Sequence, residues 1–111
     1  MKRDYKLFIN DIKESIGLIE EYMKGISEED FKKNKQLQDA VIRRFEIMGE
    51  ASRNIPRSLK EINKQVPWFE MSQFRDIIAH SYFAMGLNKV WIAFKQDLPK
   101  IKESLKDIKL V

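Results

Sequence analysis

The sequence predicts an all-α protein, a helical bundle of about four to five main helices. Two observations carry this prediction. Apolar residues recur at steps of three and four along most of the chain, and no segment shows the apolar and polar alternation of a strand. A chain of 111 residues fits one domain, spanning residues 1–111, and can bury one modest core.

The first predicted helix carries one apolar stripe along about five turns. Asp4 is its expected N-cap and Gly25 its expected end. Ser27 then begins a short second helix, whose pattern fades by Asn34. The stripe of the first helix consists of Tyr5, Phe8, Ile9, Ile12, Ile16, Ile19 and Met23.

A long third helix is predicted from about Lys35 to Asn54, where Pro56 closes it. Opposite its apolar stripe lies a polar ridge, and Gly49 occupies mid-helix, where glycine costs about 1 kcal/mol relative to alanine. The polar ridge consists of Arg43, Glu46, Glu50 and Arg53. The apolar surface that flanks the ridge, Ile42, Ile47 and Ala51, is wider than one neighbouring helix needs. Close approach of another helix, from a second copy in one interpretation, would explain both this surface and the glycine. The alternative is a broad apolar stripe buried within one bundle.

The sequence after Pro56 predicts a short polar helical stretch over 57–65, a helix that starts near Pro67, and a final long helix. Asn88 is the expected cap of the final helix. Pro99 falls inside it while the apolar phase continues on both sides, which predicts a kinked C-terminal helix at Pro99.

Composition excludes several site types. There is no cysteine and one histidine, so neither a disulfide framework nor a thiolate metal site is expected, and no metal or cofactor is assigned. The cysteine-free composition fits a reducing cytoplasm, no apolar run approaches the roughly 20 residues of a membrane span, and Met1-Lys2-Arg3-Asp4 leads into no signal-peptide core. Together these observations predict a cytoplasmic protein. Residues 32–64 hold nine basic and four acidic side chains, a net +5, which suits either a phosphate backbone or a solvated helix surface.

The single histidine, His80, stands near Arg75, Asp76 and Tyr82. Asp76 and His80 are spaced i, i+4, so the carboxylate is expected to hold one imidazole nitrogen and leave the other facing outward. Arg75 matches a phosphate in charge and geometry. The alternative is structural: a polar histidine satisfied by Asp76 at a helix end, with Tyr82 in the core and Arg75 a surface charge.

A phosphate-binding arginine beside a histidine would suit cleavage of RNA without a metal. That reaction needs a base that removes the proton of the ribose 2′-hydroxyl and an acid that protonates the departing oxygen. One histidine per chain does not comfortably serve as both. A symmetric dimer would place two histidines and two arginines in one cleft.

The pattern Arg75-x4-His80-x-Tyr82 resembles the R-x4-6-H-x-Y signature of HEPN-superfamily ribonucleases. The surrounding blocks are similar to HepT toxins of HepT/MntA toxin-antitoxin systems, and the likeness covers essentially the whole chain. These blocks are 39–51, Val66-Pro67-Trp68, and Val90-Trp91 with Asp97-Leu98-Pro99.

The resemblance implies a HEPN-like bundle that forms a homodimer and cleaves RNA without a metal. It implies Arg75 on the scissile phosphate, His80 in acid/base work, and Asp76 and Tyr82 as supporting residues. It also implies a minimal nucleotidyltransferase antitoxin as partner, with Tyr82 as the candidate acceptor of AMP. A different interpretation is a non-catalytic substrate-binding or regulatory partner of such a nucleotidyltransferase, but this partner need not keep Arg75 and His80 together.

Overall fold

The computed structural model describes the backbone of residues 4–110 and the side chains of residues 4–80 and 86–110. Within that range the protein is helical and contains no strand, so the predicted fold class is confirmed. The helices are α1 (Tyr5–Met23), α2 (Glu28–Lys33), α3 (Lys35–Arg53), α4 (Arg57–Ile62), α5 (Trp68–Met85), α6 (Leu87–Ile92) and α7 (Leu98–Ser104).

Side-chain caps define the starts of the first three helices. Asp4 accepts a hydrogen bond from the Lys6 amide at 2.9 Å, and Ser27 accepts one from the Asp30 amide at 3.1 Å, as predicted. Asn34 caps α3 by accepting from the Leu37 amide at 3.0 Å, so α2 and α3 meet at a single residue. Each cap satisfies an amide that the first turn of a helix leaves without a partner.

The core lies where α3 packs between α1 and α5. Two buried polar contacts fix the start of α5 against its neighbours. The Ser52 hydroxyl donates a 2.6 Å hydrogen bond to the carbonyl of Trp68, and the Trp68 indole N–H donates to the carbonyl of Asn63 at 3.0 Å. The largest fully buried apolar side chains are Ile12, Ile19, Phe31, Val41, Met48, Leu59, Val90 and Leu98.

The C-terminal helix begins earlier than the predicted cap. Gly86 takes the cap position with a φ of +79°, no side-chain hydrogen bond caps the helix, and Asn88 already lies inside α6. Glycine adopts this left-handed conformation without steric cost, so the turn from α5 ends where Gly86 stands. The predicted cap at Asn88 is therefore wrong.

The expected irregularity at Pro99 takes the form of a π-helical turn, Ala93–Asp97, between α6 and α7. The proline ring would clash with the carbonyl four residues earlier in a regular α-helix, and a wider turn before it relieves this clash. The backbone stays in the helical region on both sides of the turn, so α6 and α7 continue one helical path with an unbroken apolar phase.

Candidate active site

Arg75 is positioned by close packing between α3 and α5. A Cβ added to Gly49 would collide with the Cβ of Arg75 and lie 2.6 Å from the carbonyl oxygen of Met71. Only glycine lets the two backbones approach this far. The close approach of another helix that the glycine predicts is observed, and the approaching helix is α5 of the same chain. The Arg75 side chain consequently lies along α3 and is 29% exposed.

Two carboxylates hold the Arg75 guanidinium. Its Nη1 donates to Oδ1 of Asp76 at 3.3 Å, and its Nε lies 3.7 Å from Oε2 of Glu50. Nη2 donates to no described residue. A guanidinium fixed through Nε and Nη1 presents its remaining donors in a defined direction, which suits recognition of a phosphate.

Asp76 joins two guanidinium groups. Its Oδ1 accepts a 2.6 Å hydrogen bond from Nη2 of Arg53, and Arg53 also donates to the hydroxyl of Ser72 from Nε at 3.1 Å and Nη2 at 3.0 Å. The hydrogen bond from Arg53, helped by the one from Arg75, holds the pKa of Asp76 below its usual value. The same bond raises the pKa of Arg53.

The predicted pairing of Asp76 with His80 is not observed. In the part of the chain that the structure describes, no hydrogen bond joins the two side chains, and Arg53 and Arg75 both donate to Oδ1 of Asp76 instead. A full positive charge with forked donors is a stronger partner for a carboxylate than an imidazole. His80 is exposed on α5 and makes no side-chain hydrogen bond to another described residue.

Two further residues of the site, Glu50 and Arg53, belong to the polar ridge of α3. The ridge was predicted from its spacing, but its contact with α5 was not. The signal that would have found it is the proximity of a charged ridge to a mid-helix glycine, because close approach at Gly49 brings the neighbouring ridge residues against α5. Spacing alone did not identify α5 as the helix that approaches.

An open depression of about 240 Å³ adjoins Arg75. Its lining combines charges of both signs with an apolar wall from α1 and α3. The charged lining residues are Asp11, Arg43, Glu46, Glu50 and Arg75. The side chain of Tyr82, the fourth predicted site residue, lies outside the described residues. Within one chain the structure therefore brings Arg75 and Asp76 together, while His80 stands on the same helix without a hydrogen bond to any described side chain.

A family profile described as "Ribonuclease HepT-like" matches residues 12–108. The chain belongs to this family. The predicted HepT-like membership is confirmed, and the predicted enzyme class, a ribonuclease, agrees with it.

Two curated relatives of this HepT-like chain match it over nearly its whole length. A Thermococcus cleftensis protein named "Probable ribonuclease HepT" is 45% identical over 102 residues, which cover 92% of this chain and 93% of that protein. A Methanocaldococcus jannaschii protein, whose name joins gamma-glutamylcyclotransferase to a provisional RNase assignment, is 48% identical over 105 residues. This alignment covers 95% of the chain but 47% of that protein, so the chain spans about half of its length. No solved structure matches.

Two further properties of the described residues bear on partners of the HepT-like chain. None of its helices there is both long and apolar enough to cross a membrane. Among the described side chains, no group of three or more histidine, aspartate or glutamate residues is arranged to hold a metal ion.

Proposed function

We propose that this chain is a metal-independent endoribonuclease, the toxin of a cytoplasmic toxin-antitoxin module, with an active site shared by two copies of the chain. The observation that carries the proposal is that Glu50 and Asp76 hold the guanidinium of Arg75 in place. Arg75 lies on α5, the helix that also exposes His80 to solvent. Family membership supplies the class of reaction.

The reaction needs groups that bind the phosphate and move two protons. The ribose 2′-oxygen forms a bond to the adjacent phosphorus as the bond from phosphorus to the 5′-oxygen breaks. A base removes the 2′-hydroxyl proton and an acid protonates the departing 5′-oxygen. Arg75 is assigned to the non-bridging phosphate oxygens, where its donors offset the charge that develops. His80 is assigned to proton transfer.

One chain holds half of these groups. It has a single histidine, and on α5 His80 lies about 140° around the helix from Arg75. A twofold axis beside α5 would bring His80 of each copy into one cleft, so that one imidazole serves as the base and the other as the acid. The proposed enzyme is therefore a homodimer.

Control of this activity is proposed to act on Tyr82. A minimal nucleotidyltransferase antitoxin would transfer AMP from ATP to the tyrosine hydroxyl, forming an O–P bond and releasing pyrophosphate. The added nucleotide would place a negative charge two residues from His80, where it competes with the RNA phosphate. Intact-mass analysis after incubation with the antitoxin and ATP should show one added AMP on the wild-type chain and none on Tyr82→Phe. An unmodified wild-type chain would count against this regulation.

The test of the main proposal is cleavage of a single-stranded RNA by purified protein in excess EDTA. Cleavage should persist in the chelator, and Arg75→Ala and His80→Ala should each lower the rate by about 10²- to 10⁴-fold. Salt-sensitive RNA binding without turnover would instead favour a non-catalytic role, and loss of cleavage in EDTA would contradict the metal-independent mechanism.

A further inference from the structure

A second surface, which combines lysine side chains with an exposed aromatic ring, lies at the N-terminal end of α5, away from His80. The end of α3, the helix α4 and the first turn of α5 enclose an open depression of about 380 Å³. We call this surface the basic corner and define it by Arg53, Lys60, Lys64 and Phe69, all of which line the depression. The proposed cleavage chemistry does not use Lys60, Lys64 or Phe69.

The basic corner carries uncompensated positive charge. Neither Lys60 on α4 nor Lys64 in the turn after it forms an ion pair with any described residue, although Glu61 of α4 pairs with Arg57. Burial lowers the pKa of Lys60, and the nearby charge of Arg53 lowers it further. Glu70 also lines the depression, but it is exposed and bridges to neither lysine. A bound anion would relieve the repulsion among these cations.

Phe69 is the most exposed of the large apolar side chains that the structure describes, at 71%. Its ring therefore keeps a free face next to the two lysines. Aromatic side chains on a basic surface bind single-stranded nucleic acid by stacking on bases, and each stacked base contributes about 1–3 kcal/mol. The cations can bind the phosphate of a nucleotide, and the exposed ring can stack on its base.

The basic corner is continuous with the candidate active site. At 100° per residue, Phe69, Asp76 and His80 lie within about 40° of one another on α5. Phe69 and His80 are separated by about 16 Å along the helix axis. Arg53 belongs to both surfaces, since it lines the basic corner and donates to Asp76. An RNA strand held at His80 can follow α5 to Phe69 without leaving this face.

We propose that the basic corner is an RNA-binding subsite that holds a nucleotide outside the cleaved linkage, with its base stacked on Phe69 and its phosphate held by Lys60 and Lys64. This inference rests on the proposed function. The subsite does not discriminate between bases, because every base offers an aromatic face for stacking. It sets where along α5 the strand lies.

The experiment measures RNA affinity separately from cleavage. A fluorescein-labelled single-stranded RNA is titrated by anisotropy, at several salt concentrations, against protein that carries His80→Ala so that the RNA stays intact. Phe69→Ala, Phe69→Leu and the pair Lys60→Gln/Lys64→Gln are added to this background. The matched control is Lys13→Gln/Lys24→Gln, which removes the same charge from α1 and its C-cap, outside the basic corner. Circular dichroism verifies the helical content of each protein.

Phe69→Ala should raise Kd about fivefold to a hundredfold and leave the salt dependence unchanged. Phe69→Leu should be nearly as defective, because leucine is apolar but cannot stack. The Lys60→Gln/Lys64→Gln pair should reduce the slope of log Kd against log salt by about 0.7, the value for one phosphate contact in single strands, because both lysines hold the same phosphate. The control pair should leave that slope close to the background value.

Three outcomes would overturn the inference. Unchanged RNA affinity in Phe69→Ala would contradict the stacking on Phe69. Equal slopes of log Kd against log salt for the two lysine pairs would contradict the phosphate contact of Lys60 and Lys64. Full affinity in Phe69→Leu would mean that the side chain offers only apolar contact, as a protein-docking surface does. If the otherwise wild-type protein cleaves RNA while these variants bind normally, the subsite fails and the proposed function stands. If the wild-type protein neither binds nor cleaves RNA, both fail.

Discussion

The guanidinium of Arg53 donates a 2.6 Å hydrogen bond to Oδ1 of Asp76, and the same oxygen accepts from Nη1 of Arg75 at 3.3 Å. One carboxylate therefore connects the polar ridge of α3 to the arginine of the motif. Because Arg53 is further fixed by the Ser72 hydroxyl, we propose that Asp76 acts as a positioning residue for Arg75.

The Arg53–Asp76 pair predicts a pH dependence of stability. The pKa of Asp76 lies below its usual 3.8 because Arg53 donates to the ionised form. A depressed pKa stabilises the folded state above the unfolded value, and this contribution is lost as the pH falls through the folded value. In urea titrations, the difference in unfolding free energy between wild type and Asp76→Asn should be constant above about pH 5 and should shrink below 3.8. A difference that stays constant into stronger acid would contradict the assignment.

A double-mutant cycle tests whether Arg53 and Asp76 act on Arg75 as one unit. Arg53→Gln and Asp76→Asn should each lower kcat/KM for RNA by about tenfold to a hundredfold, because a displaced binding group loses its alignment with the phosphate. The double variant should be little worse than either single variant, since residues in one network are not additive.

The control for this cycle is Lys33→Gln, which removes a cation from an exposed pair with Glu29 and should leave kcat/KM unchanged. A positioning role predicts a lower kcat, with or without a higher KM, whereas simple loss of a surface charge would raise KM and leave kcat unchanged. Strictly additive effects of the two substitutions would show that Arg53 and Asp76 act independently.

Gly49→Ala should disturb both the packing of α3 on α5 and the placement of Arg75. The added methyl group meets the Cβ of Arg75 and the backbone of Met71, and overpacking of this kind costs about 1–3 kcal/mol. Urea denaturation should show this loss, and residual cleavage should fall by more than the unfolded fraction explains.

Gly17→Ala is the matched control. Gly17 is also inside a long helix, but nothing lies within 4 Å of the position that an alanine methyl group would take there. Alanine at this position should therefore stabilise the protein by about 1 kcal/mol through helix propensity. Equal effects at Gly17 and Gly49 would contradict the close approach of α3 and α5.

Periodicity was sufficient to predict the helices because burial on one face leaves a direct trace in the sequence. Asp4 and Ser27 were predictable as caps for a different reason, since each cap hydrogen bond joins residues two or three positions apart. The cap at Asn88 was wrong because the decisive property was the positive φ of Gly86, which depends on how the chain leaves α5.

The contacts around the predicted site residues could be predicted only in part, because the residues that make them come from two helices. Spacing along α5 allowed an Asp76–His80 bond, but spacing says nothing about a competitor from α3. Arg53 reaches Asp76 only because Gly49 lets the two helices approach closely. The charged ridge and the glycine were both visible in the sequence. The sequence did not show that α5 is the helix that packs at Gly49, and the contact between Arg53 and Asp76 depends on that packing.

The shared active site is tested most directly by a heterodimer that pairs one wild-type chain with one His80→Ala chain, purified through a different tag on each copy. If the two histidines serve as base and acid of one reaction, this heterodimer should cleave RNA about 10²- to 10⁴-fold more slowly than the wild-type dimer, close to the His80→Ala homodimer. Half of the wild-type rate would mean that each chain cleaves RNA with its own histidine, and would contradict the account.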